Sequence, residues 1–256
     1  MAVAGDGAFE DDDYERQTDA RRARVARELI VGVRGLPPAE VPDALCRACM
    51  TLLPWVSGVS VSVCGRDTDT GVVLCASDAV ATRIAEIQYT LGEGPCTEAV
   101  RLRAPVFATD LTRAPDARRW PLFSDQAAKA GAQAAFSLPL TVADTPLGTL
   151  DLYRRVTGSL SEDQASWALL VADAVTLAVI ALDRASAETN GVVTWLEGAQ
   201  ADREEVHQAT GMIMVQLGVG ADEAVLLLRA RAFAQGRTTT EIARAIIART
   251  MDIRND

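Results

Sequence analysis

The chain has 256 residues, and 49% of them are hydrophobic, so it is long and apolar enough to bury a core. Its formal net charge of −10 excludes a protein that binds nucleic acid through its overall charge. It has neither an uninterrupted apolar stretch of about 20 residues nor a basic, apolar leader, so we predict a cytoplasmic protein without membrane contact.

The N-terminal part, residues 1–34, joins an acidic run around Asp11 to a charged, helix-compatible stretch. This composition predicts a solvated acidic tail and an N-terminal helix. Pro42 suits the first turn of a second helix that runs to about Leu53.

The five cysteines are odd in number, which predicts reduced thiols in a chain that is not exported. Cys46 and Cys49 form a Cys-x-x-Cys pair, but no second pair or histidine cluster follows to complete a zinc site. Both lie in an apolar helical pattern, so we predict buried thiols, with a redox switch as the alternative.

Residues 35–187 contain short strands interleaved with helices. Alternating apolar and polar residues over Gly58–Cys64, followed by the strand Val72–Ala76, predict a hairpin. Asp78 is a suitable N-cap for a helix from about Ala79 to Gln88. The remaining predicted elements are a helix opening near Pro95, strands over 105–108, 134–141 and 147–153, and helices over 120–130 and 161–187. This order is typical of an α+β fold in which helices flank one mostly antiparallel sheet.

Residues 188–256 are predicted to form a small all-α domain of three helices. Asn190 and Gly191 interrupt the chain before it, and the helices are expected over 195–217, 221–234 and 239–251. Thr238 or Thr239 is the expected N-cap of the third helix. Between Leu226 and Thr250 lie five arginines and a single acidic residue, the only strongly basic window of the chain.

The motifs of several enzyme classes are missing. The sequence has no Gly-x-x-x-x-Gly-Lys phosphate loop and no Gly-x-Gly-x-x-Gly after a strand, and its one histidine, His207, cannot build a metal cluster. Cys96 has no basic neighbour in sequence to activate it as a nucleophile. We therefore predict a protein that is not an enzyme and holds no metal.

The first body resembles the GAF sensor family. The resemblance rests on Leu-Gly-Glu-Gly-Pro-Cys-Thr-Glu-Ala at 91–99, Trp-Pro-Leu-Phe at 120–123 with Gly131, Ser-Leu-Pro-Leu at 137–140 and Gly-Thr-Leu-Asp-Leu-Tyr at 148–153. It implies an antiparallel sheet of about six strands with a pocket on one face, closed by the loops near 92–96 and 110–123. No family signature for a particular ligand is present, so the effector stays unknown. The expected sensor-pocket residues are Gly92, Gly94, Cys96, Trp120, Phe123, Ser137, Asp151 and Tyr153.

The tail resembles the ANTAR family of RNA-binding antitermination modules. The matching residues are Arg-Glu-Glu-Val-His-Gln-Ala-Thr-Gly-Met-Ile-Met at 203–214, then Ala224, Leu-Arg-Ala-Arg-Ala at 228–232, Glu-Ile-Ala at 241–243 and Ile246-Ile247. The resemblance implies dimerisation through the first helix and recognition of paired stem-loops. Thr210 stands where the family often has lysine, so neighbouring arginines must supply that charge.

Two sets of residues follow from this resemblance and from the suitability of arginine for phosphates and unpaired bases. The expected RNA-binding residues are Arg203, His207, Thr210, Arg229, Arg231, Arg237, Arg244 and Arg249. The expected dimerisation residues form an apolar stripe on the first helix of the tail, namely Leu196, Ala199, Val206, Ala209, Ile213 and Leu217.

The functional prediction is a homodimeric regulator that responds to a signal, binds tandem stem-loop RNA and acts by transcription antitermination. A small-molecule effector in the sensor is left open. Two alternatives remain, a protein-interaction adaptor with a helical dimerisation tail and a DNA-binding regulator.

Overall fold

The computed structural model describes residues 7–65, 68–143, 145–188 and 194–253. The helices of its first part are α1 (Gly7–Val33), α2 (Val41–Leu52), α3 (Ala79–Leu91), α4 (Pro95–Leu102), α5 (Asp116–Arg119), α6 (Pro121–Ala130) and α7 (Glu162–Glu188). The strands are β1 (Gly58–Gly65), β2 (Thr68–Ala76), β3 (Val106–Ala108), β4 (Ala134–Val142) and β5 (Thr145–Arg154). Three more helices, α8 (Thr194–Leu217), α9 (Ala221–Ala234) and α10 (Thr239–Ile247), form what we call the C-terminal bundle.

The strands form one antiparallel sheet in the order β2-β1-β5-β4-β3. The predicted α+β class, with a helical C-terminal region, is confirmed. The described sheet has five strands rather than about six, and β2 begins at Thr68, inside a segment predicted to be a turn. The acidic run predicted to be a solvated tail lies within α1.

Both faces of the sheet are covered by helices. Because successive side chains of a strand point to opposite faces, Leu150 and Leu152 pack with α1, α2 and α7, whereas Tyr153 packs with α3 and α6. The N-cap predictions hold where the structure tests them. The Asp78 carboxylate accepts the Ala81 amide at 2.7 Å, and Thr238 forms a capping box with Glu241.

Helix α7 is more apolar than the sequence analysis allowed for. Its segment Glu162–Leu182 is long and apolar enough, by length and composition, to cross a membrane. Polar residues such as Asp163 and Asp173 interrupt this segment, so it contains no uninterrupted apolar stretch of about 20 residues. Val171, Val175 and Val179 of this segment are buried against the sheet, whereas Leu169 and Leu177 are exposed.

The prediction of reduced thiols is wrong for one pair. Cys46 on α2 and Cys75 on β2 form a disulfide, with their Cα atoms 6.2 Å apart. The two residues are 29 positions apart in the chain, and only the packing of α2 against the sheet brings them together. Cys49 is a buried thiol, as predicted, while Cys64 and Cys96 are partly buried and take no part in the disulfide.

Candidate ligand pocket and nucleic-acid interface

The sheet face under α3 and α4 carries a group of buried polar side chains. They are Ser60 and Ser62 on β1, Ser137 on β4, and Thr149 and Asp151 on β5. Strand register places them side by side, since Asp151 pairs with both Ser60 and Ser137, and Thr149 pairs with Ser62. We call these five residues the polar cluster.

Asp151 is the charged centre of the polar cluster. Its Oδ1 accepts a hydrogen bond from the Ser137 hydroxyl at 2.5 Å, and its Oδ2 accepts one from the Thr149 hydroxyl at 2.9 Å. Burial raises its pKa to about 6, although the two hydrogen bonds oppose this shift. A buried carboxylate surrounded by hydroxyls is suited to hold the polar end of a small molecule.

Cys96 is held above this cluster by the side chain of Gln88. The Cys96 amide donates to Gln88 Oε1 at 2.8 Å, across the loop that joins α3 to α4. Gly94 in that loop has a φ of +137°, and a Cβ there would stand 2.6 Å from Gln88 Oε1. Glycine is therefore required for the loop to approach Gln88 this closely.

The Cys96 thiol is not activated. Burial raises its pKa well above the ordinary value, and the negative charge of Asp151 raises it further. A neutral thiol is a poor nucleophile and a poor metal ligand. Among the described residues, no group of three or more His, Cys, Asp or Glu side chains is placed to hold a metal ion.

Three predicted pocket residues, Trp120, Phe123 and Tyr153, lie around the polar cluster rather than within it. Trp120 and Phe123 are buried in the apolar cluster between α3, α6 and the sheet. Glu93 lies in the loop between α3 and α4 and links this loop to Phe123, because its carboxylate accepts the Phe123 amide at 2.9 Å. The Tyr153 hydroxyl donates to Asp78 at 2.8 Å, at the N-cap of α3.

Gly92 faces the C-terminal bundle rather than the polar cluster. It caps α3 with a φ of +64°, and a Cβ there would meet the guanidinium of Arg229 on α9, 2.8 Å from Nη1. The structure therefore brings Gly94, Cys96, Ser137 and Asp151 together and sets Gly92 against the C-terminal bundle.

Sequence reasoning missed four members of the site, namely Gln88, Ser60, Ser62 and Thr149. Two of them had a signal, since Ser60 and Ser62 are the polar positions of the alternating strand β1. Such alternation normally indicates a solvent face, but here the polar face is covered by helices. For Gln88, one position in an amphipathic helix, no local pattern indicated its role.

A cavity lies on the face of the sheet opposite the polar cluster. It is an apolar groove of about 420 Å³ between α1, α2 and α7. The residues that line it are Ala26, Leu29, Ile30, Val33, Val41, Leu45, Ala174, Leu177, Ala178, Ala181 and Leu182. With no polar side chain in its lining, it lacks groups that would orient a polar ligand.

The predicted RNA-binding residues fall into different environments. His207, Arg244 and Arg249 are exposed, Arg231 and Arg237 are partly buried, and the side chain of Arg203 lies outside the described residues. The Arg244 guanidinium forms an ion pair with Glu205 at 2.7 Å, which links α10 to α8. Arg237 donates to the Glu241 carbonyl at 3.1 Å.

Thr210 does not fit the prediction of an RNA contact. Its side chain is buried, and its hydroxyl donates to the Val206 carbonyl at 2.7 Å within α8. A threonine here faces the core of the bundle because the helix turns this position inward, between Val206 and Ile213.

Several residues of the predicted dimerisation stripe are buried within the chain itself. Val206, Ala209 and Ile213 are buried in the core of the bundle itself, against Leu228 and Ile242, and Leu217 packs beside them. The side chains of Leu196 and Ala199 lie outside the described residues. An apolar stripe shows that a helix face is buried, but it does not show whether the partner is the same chain or another.

Comparison with known proteins assigns two regions of the chain. The GAF domain family model matches residues 36–179, and the ANTAR domain family model matches residues 195–247. The comparison with curated proteins finds no match.

Solved structures support the fold of the first region. The GAF domain from a phosphoenolpyruvate-protein phosphotransferase of Coxiella burnetii superposes with a TM-score of 0.50 at 15% identity, covering 66% of this chain and 98% of that one. The GAF domain from an Acinetobacter phosphoenolpyruvate-protein phosphotransferase gives 0.48 at 11% identity, with the same coverages. The second GAF domain of DevS from Mycobacterium smegmatis gives 0.41 at 22% identity, covering 60% and 99%.

Proposed function

The chain belongs to the GAF domain family and carries a C-terminal ANTAR domain, and we propose that it is a signal-responsive RNA-binding regulator acting by transcription antitermination. The observation that carries this proposal is the order of the two domains, a sensor followed by an RNA-binding module. Both are sensor and regulatory domains, so a role without catalysis is part of the proposal.

The proposed RNA-binding surface is built from exposed side chains of the bundle that can donate hydrogen bonds to phosphate. His207 on α8 and Arg244 and Arg249 at α10 are accessible. Glu205 of α8 pairs with Arg244, so RNA phosphate would have to replace this ion pair or bind beside it. Guanidinium groups bind phosphate and stack on unpaired bases, which suits stem-loop RNA. This local surface can attract RNA although the whole chain is acidic, because salt screens charges beyond about 8–10 Å.

The proposed effector site is the polar cluster under the Gly94–Cys96 loop. Asp151 would accept hydrogen bonds from the donor groups of a small polar effector, and the surrounding hydroxyls would orient it. No cofactor or metal enters the proposal.

A homodimer that binds tandem stem-loops remains part of the proposal, because two modules on one RNA gain affinity through effective concentration. Dimerisation would have to use surfaces other than Val206, Ala209 and Ile213, which the bundle core occupies. Light scattering of the full chain at several concentrations tests this point, and a monomer throughout would contradict it.

The decisive test of function is RNA binding by the full chain. RNA crosslinked to the protein in its own cell is sequenced, and a two-hairpin fragment from the most frequent site is transcribed for titration. We expect an affinity that falls steeply as salt rises. If duplex DNA competes as well as the hairpins, the DNA-binding alternative is favoured. If no RNA binds at any salt concentration, the adaptor alternative is favoured instead.

A further inference from the structure

The C-terminal bundle is seated on the last turn of α3. Thr239, at the start of α10, donates its amide to the Thr90 hydroxyl at 3.3 Å, and both residues are buried. Tyr89 packs against the apolar core of the bundle. We call the meeting of Tyr89, Thr90 and Gly92 with Arg229 and Thr239 the α3 contact.

Arg229 is the charged member of the α3 contact. Its guanidinium lies over Gly92, where a Cβ would stand 2.8 Å from Nη1 and 3.4 Å from Cζ. Burial lowers its pKa, although the guanidinium remains charged at neutral pH. An arginine covered in this way is withdrawn from phosphate, whereas Arg244 and Arg249 of the same module are exposed.

The same turn of α3 also holds the pocket loop. Gln88, one residue before Tyr89, fixes the Cys96 amide through its Oε1 and packs under Gly94. Cys96 lies in the first turn of α4, and α4 packs against β4 and β5, which carry Ser137 and Asp151 of the polar cluster. Residues 88–92 therefore connect the candidate effector site on one side with the RNA-binding module on the other.

We propose that the α3 contact is an autoinhibitory docking site, which covers Arg229 and releases the bundle when an effector displaces the Gly94–Cys96 loop from Gln88. This inference rests on the proposed function, because the release matters only if the bundle binds RNA. Coupling arises because a ligand that favours the displaced loop also favours the undocked bundle.

The contact is tested in the full chain with two variants and a matched control. Thr90→Val keeps the side-chain shape and removes the hydroxyl that accepts the Thr239 amide. Gly92→Asn places a side chain against Arg229, and asparagine tolerates positive φ. Gly35→Asn is the control, since Gly35 has a φ of +75° with no atom within 4 Å of its Cβ position.

Two measurements separate this inference from the proposed function. Hydrogen exchange of the first turn of α10 should be faster in both contact variants than in the control and the unsubstituted chain. Affinity for the two-hairpin RNA, without effector, should be tighter in both by about fivefold or more.

Each outcome decides between the two claims. Faster exchange and tighter RNA binding in the contact variants support the inference. RNA binding that is equal in all four proteins overturns it while leaving RNA binding intact, and so does exchange that is equal in all four. RNA binding in none of the four removes the proposed function and, with it, the inference.

Discussion

The hydroxyl of Ser137 and the carboxylate of Asp151 face each other across β4 and β5, where they are register partners, and form a hydrogen bond. Ser137, Thr149 and Asp151 thereby form a hydrogen-bonded group within the polar cluster, on a sheet face whose other parts are covered by apolar side chains. Because its acid is buried, this group makes the free energy of unfolding depend on pH.

The pKa of Asp151 predicts that its contribution to stability decreases as pH rises. Burial raises the folded pKa to about 6, so between about pH 4 and 6 the native chain binds a proton more tightly than the unfolded chain. The free energy of unfolding should fall by on the order of 3 kcal/mol across this window because of this group. Below pH 4 the contribution is fully present.

Asp151→Asn isolates this contribution from that of the other carboxyl groups. Denaturant unfolding of the variant and the unsubstituted chain is measured at steps from pH 4 to 7. The variant should gain stability relative to the unsubstituted chain as pH rises, because only the unsubstituted chain carries the buried carboxyl. A flat difference for Asp151→Asn would show that the carboxyl is not desolvated in the fold.

The disulfide between Cys46 and Cys75 should stabilise the sensor body. Closing a loop of 29 residues restricts the unfolded chain, and its reduction should lower the unfolding free energy by roughly 3–4 kcal/mol. Denaturant unfolding with and without a thiol reductant measures this loss. The double variant Cys46→Ala, Cys75→Ala should show no response to the reductant.

Thiol titration in denaturant provides an independent check on the disulfide. Three thiols are expected, from Cys49, Cys64 and Cys96. A count of five would mean that the two cysteines are reduced in the purified protein.

Gly94 and Gly158 form a matched pair that measures the closeness of the pocket loop to Gln88. Their φ angles are +137° and +129°, but a Cβ meets Gln88 Oε1 only at Gly94 and nothing within 4 Å at Gly158. Alanine at either position lowers the free energy of unfolding, because a residue with a Cβ is strained at positive φ. Gly94→Ala should lower the free energy of unfolding by about 1–2 kcal/mol more than Gly158→Ala does, because it also disturbs the hydrogen bond between Gln88 and the Cys96 amide. Equal losses in thermal or denaturant unfolding would mean that the loop does not press on Gln88.

Arg249 allows RNA binding to be separated from folding. It has a φ of +55°, and the Thr250 amide bonds to the Ala245 carbonyl, so it holds the left-handed position that ends α10. Arg249→Gly should leave the melting temperature unchanged or higher, because glycine adopts this conformation without strain. It should also weaken binding of the two-hairpin RNA several-fold and reduce the salt slope by about one. Arg249→Lys, which keeps the charge, should preserve the slope. An unchanged affinity in the glycine variant would place Arg249 outside the RNA interface.

Much of the fold could be predicted from the sequence because the signals are local. Alternation over Gly58–Cys64, the N-cap Asp78 and the capping box at Thr238 each depend on neighbours within a few residues. Local patterns of this kind determined the class of the fold and the order of its elements.

The remaining features depended on contacts between distant parts of the chain. The sequence showed that the α8 stripe is buried, but only the tertiary structure decided that it packs against α9 and α10. Cys46 meets Cys75, and Gly92 meets Arg229, because the topology places their elements side by side. By itself the sequence determined which faces are apolar and which turns need glycine, since these follow from short-range periodicity and backbone sterics. The partners of those faces were decided by the assembled structure, because burial is set by whichever surface comes closest in three dimensions.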